Sequence, residues 1–230
     1  MTRIIIPIII LIILPGCGAS NELKGVGAAS FQNIQNNEIW MHLFIVDGHH
    51  KTSPEGLNTI LQKVNQYVWD DLGMTVNVIA TEEIQPYVPY YRDKDRQLDT
   101  LHSWERYLWE NDHHSRNVIY YFLMPPLILG EDRLGYAGVA NGICTLGLKK
   151  PVAMSWATDK NNAGQSRIEY AAKIMAHEIG HAIGAKHDNS TEPVSLMHVS
   201  VCRAWLDSGA DQKLHYSDKS KNEILGCIDT

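Results

Sequence analysis

No stretch of this 230-residue chain is apolar for long enough to cross a bilayer as a helix. The longest apolar run, Ile4 to Leu14, has 11 residues, where about 20 are needed to span the hydrocarbon core. An excess of one charge is also missing. Twenty Lys and Arg against 26 Asp and Glu give a formal charge of -6 with the two signs mixed, which leaves no basic footprint for nucleic acid. Internal repeats and low-complexity tracts are absent, so a solenoid or tandem array is excluded. What remains, 44% hydrophobic and 20% charged residues, fits one globular domain with a sizeable core.

The short apolar run has a use of its own. With Arg3 ahead of it, residues 1 to 16 read as a signal peptide, so the chain is expected to be exported. Leu14, Pro15, Gly16 and Cys17 resemble a bacterial lipobox, in which the cysteine is acylated and becomes the first mature residue. Pro15 departs from the small or hydroxyl residue usual at its position, and an ordinary cleaved signal with a spare cysteine is the alternative. Residues 17 to 37 are small and polar without sustained periodicity, and read as a tether between a lipid at an extracytoplasmic membrane face and a folded domain over residues 38 to 230. Without the lipid the protein would be secreted.

Within that domain, strands alternate with helices. Ile39 to Val46 is a nearly continuous apolar run typical of a buried strand. Leu57, Ile60, Leu61, Val64 and Val68 form one apolar stripe at helical spacing. Met74 to Ala80 reads as a second strand, Leu98 to Leu108 as a helix, and Asn117 to Leu123 as a third strand. Val152 to Trp156 reads as a further central strand. This alternation indicates an α/β domain with a mostly parallel, twisted sheet. Ser166 followed by Glu169 has the form of a capping box, opening a helix whose Ile168, Ala171, Ala172, Met175, Ile179 and Ala182 would be buried. The pairs His49/His50 and His113/His114 are expected at the surface, where they could bind adventitious metal.

That last helix carries the chemistry, in the string HEIGHAIGAKHD from His177 to Asp188. Two histidines four apart lie on one helical face, roughly 6 Å apart along the axis, which is the geometry of a two-point zinc clamp. Glu178 lies beside them, able to reach a water at the ion but badly placed as a ligand, and reads as a general base. A catalytic zinc takes three protein ligands, and His187 is the candidate third. On an unbroken helix it would lie roughly 15 Å from His177 along the axis, so the chain must turn back. Gly184 is placed to make that turn, because glycine adopts positive φ without steric cost. His198 is a rival third ligand that lacks the glycine turn.

The complete motif, H-E-x-x-H-x-x-G-x-x-H with Asp188 next, resembles the metzincin metalloproteases, and within them the adamalysin or reprolysin branch. The resemblance covers roughly residues 38 to 230, dense around the motif and sparse in the first half. It implies a twisted mixed sheet with an antiparallel edge strand, a zinc helix, and a small C-terminal subdomain ending in a helix, matched to Tyr216 to Cys227. It also implies a methionine turn beneath the metal, matched to Met197, and an edge strand for substrate over Leu134 to Ala140. A disulfide between Cys144 and Cys227 is implied in the same way, with Cys202 and Cys227 as the alternative pair. Glu38 stands where the family has a structural calcium ligand, without recognisable companions. Many such enzymes are kept latent by a prodomain cysteine. The only upstream cysteine here is Cys17, and that form of latency is not expected.

The expected function is therefore a zinc-dependent endopeptidase acting on polypeptide, held to a membrane by its N-terminal lipid, with Zn2+ as cofactor and no nucleic-acid partner. A monomer is expected. Two other classes compete: a non-catalytic surface lipoprotein that binds rather than cleaves, and a zinc amidase or deacylase with a non-protein substrate.

Overall fold

The strand β1 (Glu38–Val46) is buried along most of its length because both faces of the sheet around it are covered. The structure, a computed structural model, describes residues 37–46, 52–86, 97–113, 115, 118–124, 139–141, 151–155, 167–188, 195–198 and 214–228. The signal peptide, tether and Cys17, Cys144 and Cys202 lie outside the described residues. Cys227 lies in a helix, but its side chain is outside them too, as is Ser166.

Helix α1 (Pro54–Leu72) follows β1 and begins where its sequence says it should. The Ser53 hydroxyl accepts a hydrogen bond from the Gly56 amide at 3.0 Å, and Pro54 supplies a first-turn φ with no amide to satisfy. It stops at Gly73, whose φ of 65° is the left-handed cap that glycine favours. Then come β2 (Thr75–Ile84), α2 (Gln97–Glu110), β3 (Val118–Leu123), β4 (Val139–Asn141), β5 (Val152–Ser155), α3 (Ile168–Ala182) and α4 (Asp218–Ile228). The sheet order is β2-β1-β3-β5-β4. All pairs are parallel except β4 with β5, so the antiparallel edge strand is present. Its described part is Val139–Asn141, and the rest of the expected Leu134 to Ala140 segment lies outside the described residues.

The two faces are covered by different helices. Trp104 of α2 stacks on Phe122 of β3 at 4.4 Å, and Phe122 stacks on Phe44 of β1 at 4.7 Å. The alternate residue Tyr121 points the other way, where the charge of Glu178 on α3 bears on it. Helix α1 packs on α3, so the two share that second face.

Three expectations need correction. β2 runs four residues beyond Ala80, and its register against β1 slips between Met41 and His42, leaving Ile79 as an extra, exposed residue. Such a bulge carries no sequence signal in an alternating strand. The capping box does not form: the N-cap of α3 is Arg167, with no side-chain cap. Glu169 is occupied elsewhere, accepting a hydrogen bond from the Tyr67 hydroxyl of α1 and pairing with Lys63 Nζ at 2.6 Å. The C-terminal helix starts at Asp218 rather than Tyr216, because the Ser217 side chain caps it by accepting from the Ser220 amide at 3.1 Å.

Glu169 thus ties α1 to α3. Burial alone would raise its pKa, but Lys63, the Tyr67 hydroxyl and Lys173 together hold it below the ordinary 4.5. A carboxylate whose folded pKa is depressed adds stability that is complete above the unfolded value and is lost as pH falls through the folded one. Glu169→Gln should therefore cost about 1 kcal/mol near neutral pH, discounted for its partial exposure, lowering Tm by roughly 2–4 °C. Melting curves across pH check this: the gap between wild type and variant should shrink steadily as pH is lowered below about 4.5.

Candidate metal centre

Helix α3 is a poor helix by one local rule, since Gly180 sits in its interior, and a good one by another, since almost every residue from Ala171 to Gly180 is buried. Packing holds it, not propensity. Its last turns present His177 and His181 on one face. At Ile183 the helix ends, and Gly184 with φ of 114° reverses the chain, its amide donating to the His181 carbonyl at 3.1 Å. Few residues other than glycine take that φ. The returning segment brings His187 back beside the helix.

The three imidazoles converge. His181 Nε2 lies 3.1 Å from His177 Nε2 and 3.1 Å from His187 Nε2. Among the described residues this triad forms a group able to hold a metal, and His198 is not in it. His198 instead bridges to Asp188 on the turn below.

Backbone carbonyls settle the tautomers of two of these rings. His177 Nδ1 is 2.7 Å from the Leu196 carbonyl, and His181 Nδ1 is 2.8 Å from that of Ala185. A carbonyl can only accept, so each Nδ1 carries the proton and each Nε2 is a bare lone pair. Two lone pairs 3.1 Å apart cannot hydrogen-bond to each other; they can share a cation. Three nitrogens about that far apart suit a small tetrahedral ion with metal–nitrogen bonds of about 2.0–2.1 Å. Burial also favours the neutral, ligating form. It pushes His177 down to about 3, aided by His187 and His198 against the Leu196 hydrogen bond, and it holds His181 and His187 below their ordinary range.

Glu178 points into the same space. It is buried, its Oε1 lies 3.9 Å from His177 Nε2, and its Oε2 has no hydrogen-bond partner. Burial raises its pKa well above the usual carboxylate range, as expected of a group poised to carry a proton.

Beneath the triad runs a turn from Ser195 to His198, closed by the His198 amide donating to the Ser195 carbonyl at 3.2 Å. This turn does three things at once. Its Leu196 carbonyl orients His177, its Met197 carbonyl accepts from the Asp188 amide at 2.8 Å, and its Met197 side chain packs under Gly180. Asp188 is itself buried. Tyr216 completes the floor, its hydroxyl donating to the Ala176 carbonyl at 2.6 Å and its amide to Asp71 Oδ2 at 2.7 Å.

Sequence reasoning missed Gly180, Tyr216, Asp71 and the two orienting carbonyls. Carbonyls leave no mark in a sequence. Gly180 did leave one, because a glycine inside a helix costs about 1 kcal/mol and calls for a packing reason. As for calcium, Glu38 accepts a hydrogen bond from the Trp40 indole at 3.0 Å at the surface, and among the described residues it belongs to no ligand group.

Comparison with known proteins gives a family and a set of similar solved structures. The family described as Metallo-peptidase family M12B Reprolysin-like matches residues 55–188, more than half of the chain. The crystal structure of metalloproteinase-II from Bacteroides fragilis is similar at 18% identity with a TM-score of 0.49, covering 90% of this chain. The chain spans 59% of that protein's length. No curated protein sequence matches.

The packing under α3 yields a prediction. A Cβ at Gly180 would lie 2.6 Å from Met197 Sδ and 2.8 Å from Tyr216 Cε1, and Tyr216 is pinned at its hydroxyl. Gly180→Ala should therefore destabilise by about 1–3 kcal/mol, the ordinary cost of overpacking, despite the gain in helix propensity. Thermal melting measures it. A variant as stable as wild type would mean that the turn can retreat from the helix.

Proposed function

The chain belongs to the reprolysin-like metallopeptidases of family M12B, and on that premise we propose that it is a zinc-dependent endopeptidase using His177, His181 and His187 as ligands and Glu178 as general base. One observation carries this reading: two tautomer-fixed imidazoles aim bare Nε2 atoms at a common point, with a third imidazole beside them and an unpartnered buried carboxylate next door. Three imidazoles favour zinc over the harder calcium or magnesium. When bound, zinc would polarise the scissile carbonyl and bring the pKa of an attacking water toward about 7.

The chain's own residues supply the rest. Glu178, lacking a partner at Oε2 and raised in pKa, can accept a proton from water and return it to the leaving amine. Among the described strands β4 pairs with β5 alone and lies near α3, leaving its other edge to an extended polypeptide. That edge supports a peptide substrate over the alternative of a small amide. A nucleophilic side chain is not required. The Leu14 to Cys17 motif behind a short apolar run supports a further element of the proposal, a lipid anchor at an extracytoplasmic membrane face.

Glu178→Gln should keep its metal and its melting temperature but lose at least 10²–10⁴ in cleavage of casein or a quenched peptide, the usual worth of a general base. Equal cleavage by wild type and variant would sink the mechanism. A zinc-loaded wild type that cleaves no member of a broad peptide library would favour a binding module or an amidase. Cys17→Ser should release the protein from membranes or block its processing, and a mature N-terminus other than Cys17 by mass spectrometry would exclude the anchor.

A further inference from the structure

On the opposite side of the sheet from α3, a second set of ligating side chains comes together. His42 of β1, Glu82 of β2 and His113 just beyond α2 bring their donor atoms within 4.8 Å of one another. The three residues come from separate segments, and two local irregularities are needed to place them.

The first is the β2 bulge. Before it, even-numbered residues of β2 pair with odd-numbered residues of β1, as Val76 with Ile39 and Val78 with Met41. After it, Ala80 pairs with His42 and Glu82 with Phe44. Paired residues share a face, so the extra residue Ile79 is what turns Glu82 toward His42. Without it Glu82 would face α1 and α3. The second irregularity is the end of α2. Asp112 takes a φ of 60°, and the His113 amide donates to the Leu108 carbonyl at 2.9 Å, which is the six-residue closure of a Schellman turn. It fixes His113 against the sheet, edge-on to His42 at 5.0 Å and to Phe44 at 5.3 Å. Expected at the surface, His113 is half-buried.

His42 supplies the observation that points to a ligand. Its side chain is only 10% exposed, stacked on Phe44 at 4.3 Å. Its Nε2 lies 2.8 Å from Glu82 Oε1, within ion-pair reach, but its hydrogen-bonding capacity is left unsatisfied. A ring nitrogen and a carboxylate oxygen held this close, with a second imidazole within 4.8 Å, are arranged as around a shared ion. We propose that His42, Glu82 and His113 form a second metal site, separate from the peptidase centre, for a divalent transition ion of the zinc class.

The chemistry fits that class. Two imidazoles and a carboxylate are a known zinc ligand set, and imidazole disfavours calcium and magnesium. Donors on one zinc lie no more than about 4.3 Å apart, so binding asks for a small inward movement. Glu82, its side chain 44% exposed, is free to make it. The ion would cross-link β1, the edge strand β2 and the turn that ends α2. Its role is structural, on the face of the sheet away from Glu178.

Equilibrium dialysis of the purified full-length protein against micromolar zinc, followed by elemental analysis, tests this. Wild type should retain two equivalents. Glu82→Gln and His113→Gln should each retain one, keep peptide cleavage, and lose several degrees of the zinc-dependent rise in Tm. His187→Ala should lose the other equivalent, which separates failure here from failure at the triad. His42 is left intact, since replacing so buried a residue would confound metal loss with unfolding. A wild type holding only the equivalent that His187→Ala removes would overturn the site, as would a second equivalent that persists in both Glu82→Gln and His113→Gln.

Discussion

Two bare imidazole nitrogens 3.1 Å apart, one on the buried His177 and one on the half-buried His181, are an unfavourable thing for a chain to fold around. Each buried, unsatisfied polar atom costs about 1–3 kcal/mol, and here Nε2 of His177, Nε2 of His181 and Oε2 of Glu178 all stand together. Left to local preference, the rings would rotate to find donors. They do not, because the Leu196 and Ala185 carbonyls hold their other nitrogens. Both carbonyls belong to chain outside α3, so the geometry of the triad depends on how the helix end and the lower turn are fixed.

That dependence explains the hydrogen bonds that thread away from the site. The Leu196 amide donates to the His215 carbonyl at 2.7 Å, His215 Nδ1 lies 2.9 Å from Asp71 Oδ1, and Asp71 Oδ2 takes the Tyr216 amide. Asp71 is near the C-terminus of α1, where the helix dipole disfavours an acid. Its hydrogen bonds and the nearby Lys221, 3.8 Å away, offset that cost. The thread therefore ties the first helix to the turn that orients His177. Gly180 closes the arrangement by letting Met197 and Tyr216 approach α3 more closely than any side chain there would permit.

How much of this could be read from residues alone follows from what kind of interaction each part uses. The convergence of His177, His181 and His187 was legible because spacing on a helix plus one glycine determines the geometry, and Gly184 does adopt the positive φ that the turn needs. The strands and helices of the first half were legible from apolar periodicity. What escaped was decided by tertiary competition. Glu169 has the sequence of a capping residue, but the Tyr67 hydroxyl and Lys63 on α1 outbid the local cap. His113 sits in a polar stretch, and only the left-handed turn at Asp112 carries it inward. The bulge at Ile79 was invisible for another reason. Alternation reports which residues share a face only while the register holds, so a single extra residue reverses the reading of everything after it.

The sheet's two outer strands meet opposite demands. An enzyme that pairs substrate with one edge must keep other chains from pairing with the other, since any strand edge is a template. The described part of β4 lies next to α3. On β2 the edge is ten residues long, and it is obstructed. The Asn65 side chain of α1 occupies the start, its Oδ1 accepting from the Val76 amide at 2.6 Å and its Nδ2 donating to the Val76 carbonyl at 2.8 Å. Further on, the bulge breaks the regular spacing of amides, and beyond it the exposed alternate residues are Thr81 and Glu83. A chain arriving at β2 meets an amide where it needs a backbone, then a kink, then a carboxylate. If substrate pairs at β4, as proposed, its selectivity rests on both edges, and the same irregularity that obstructs β2 is what brings Glu82 round to His42.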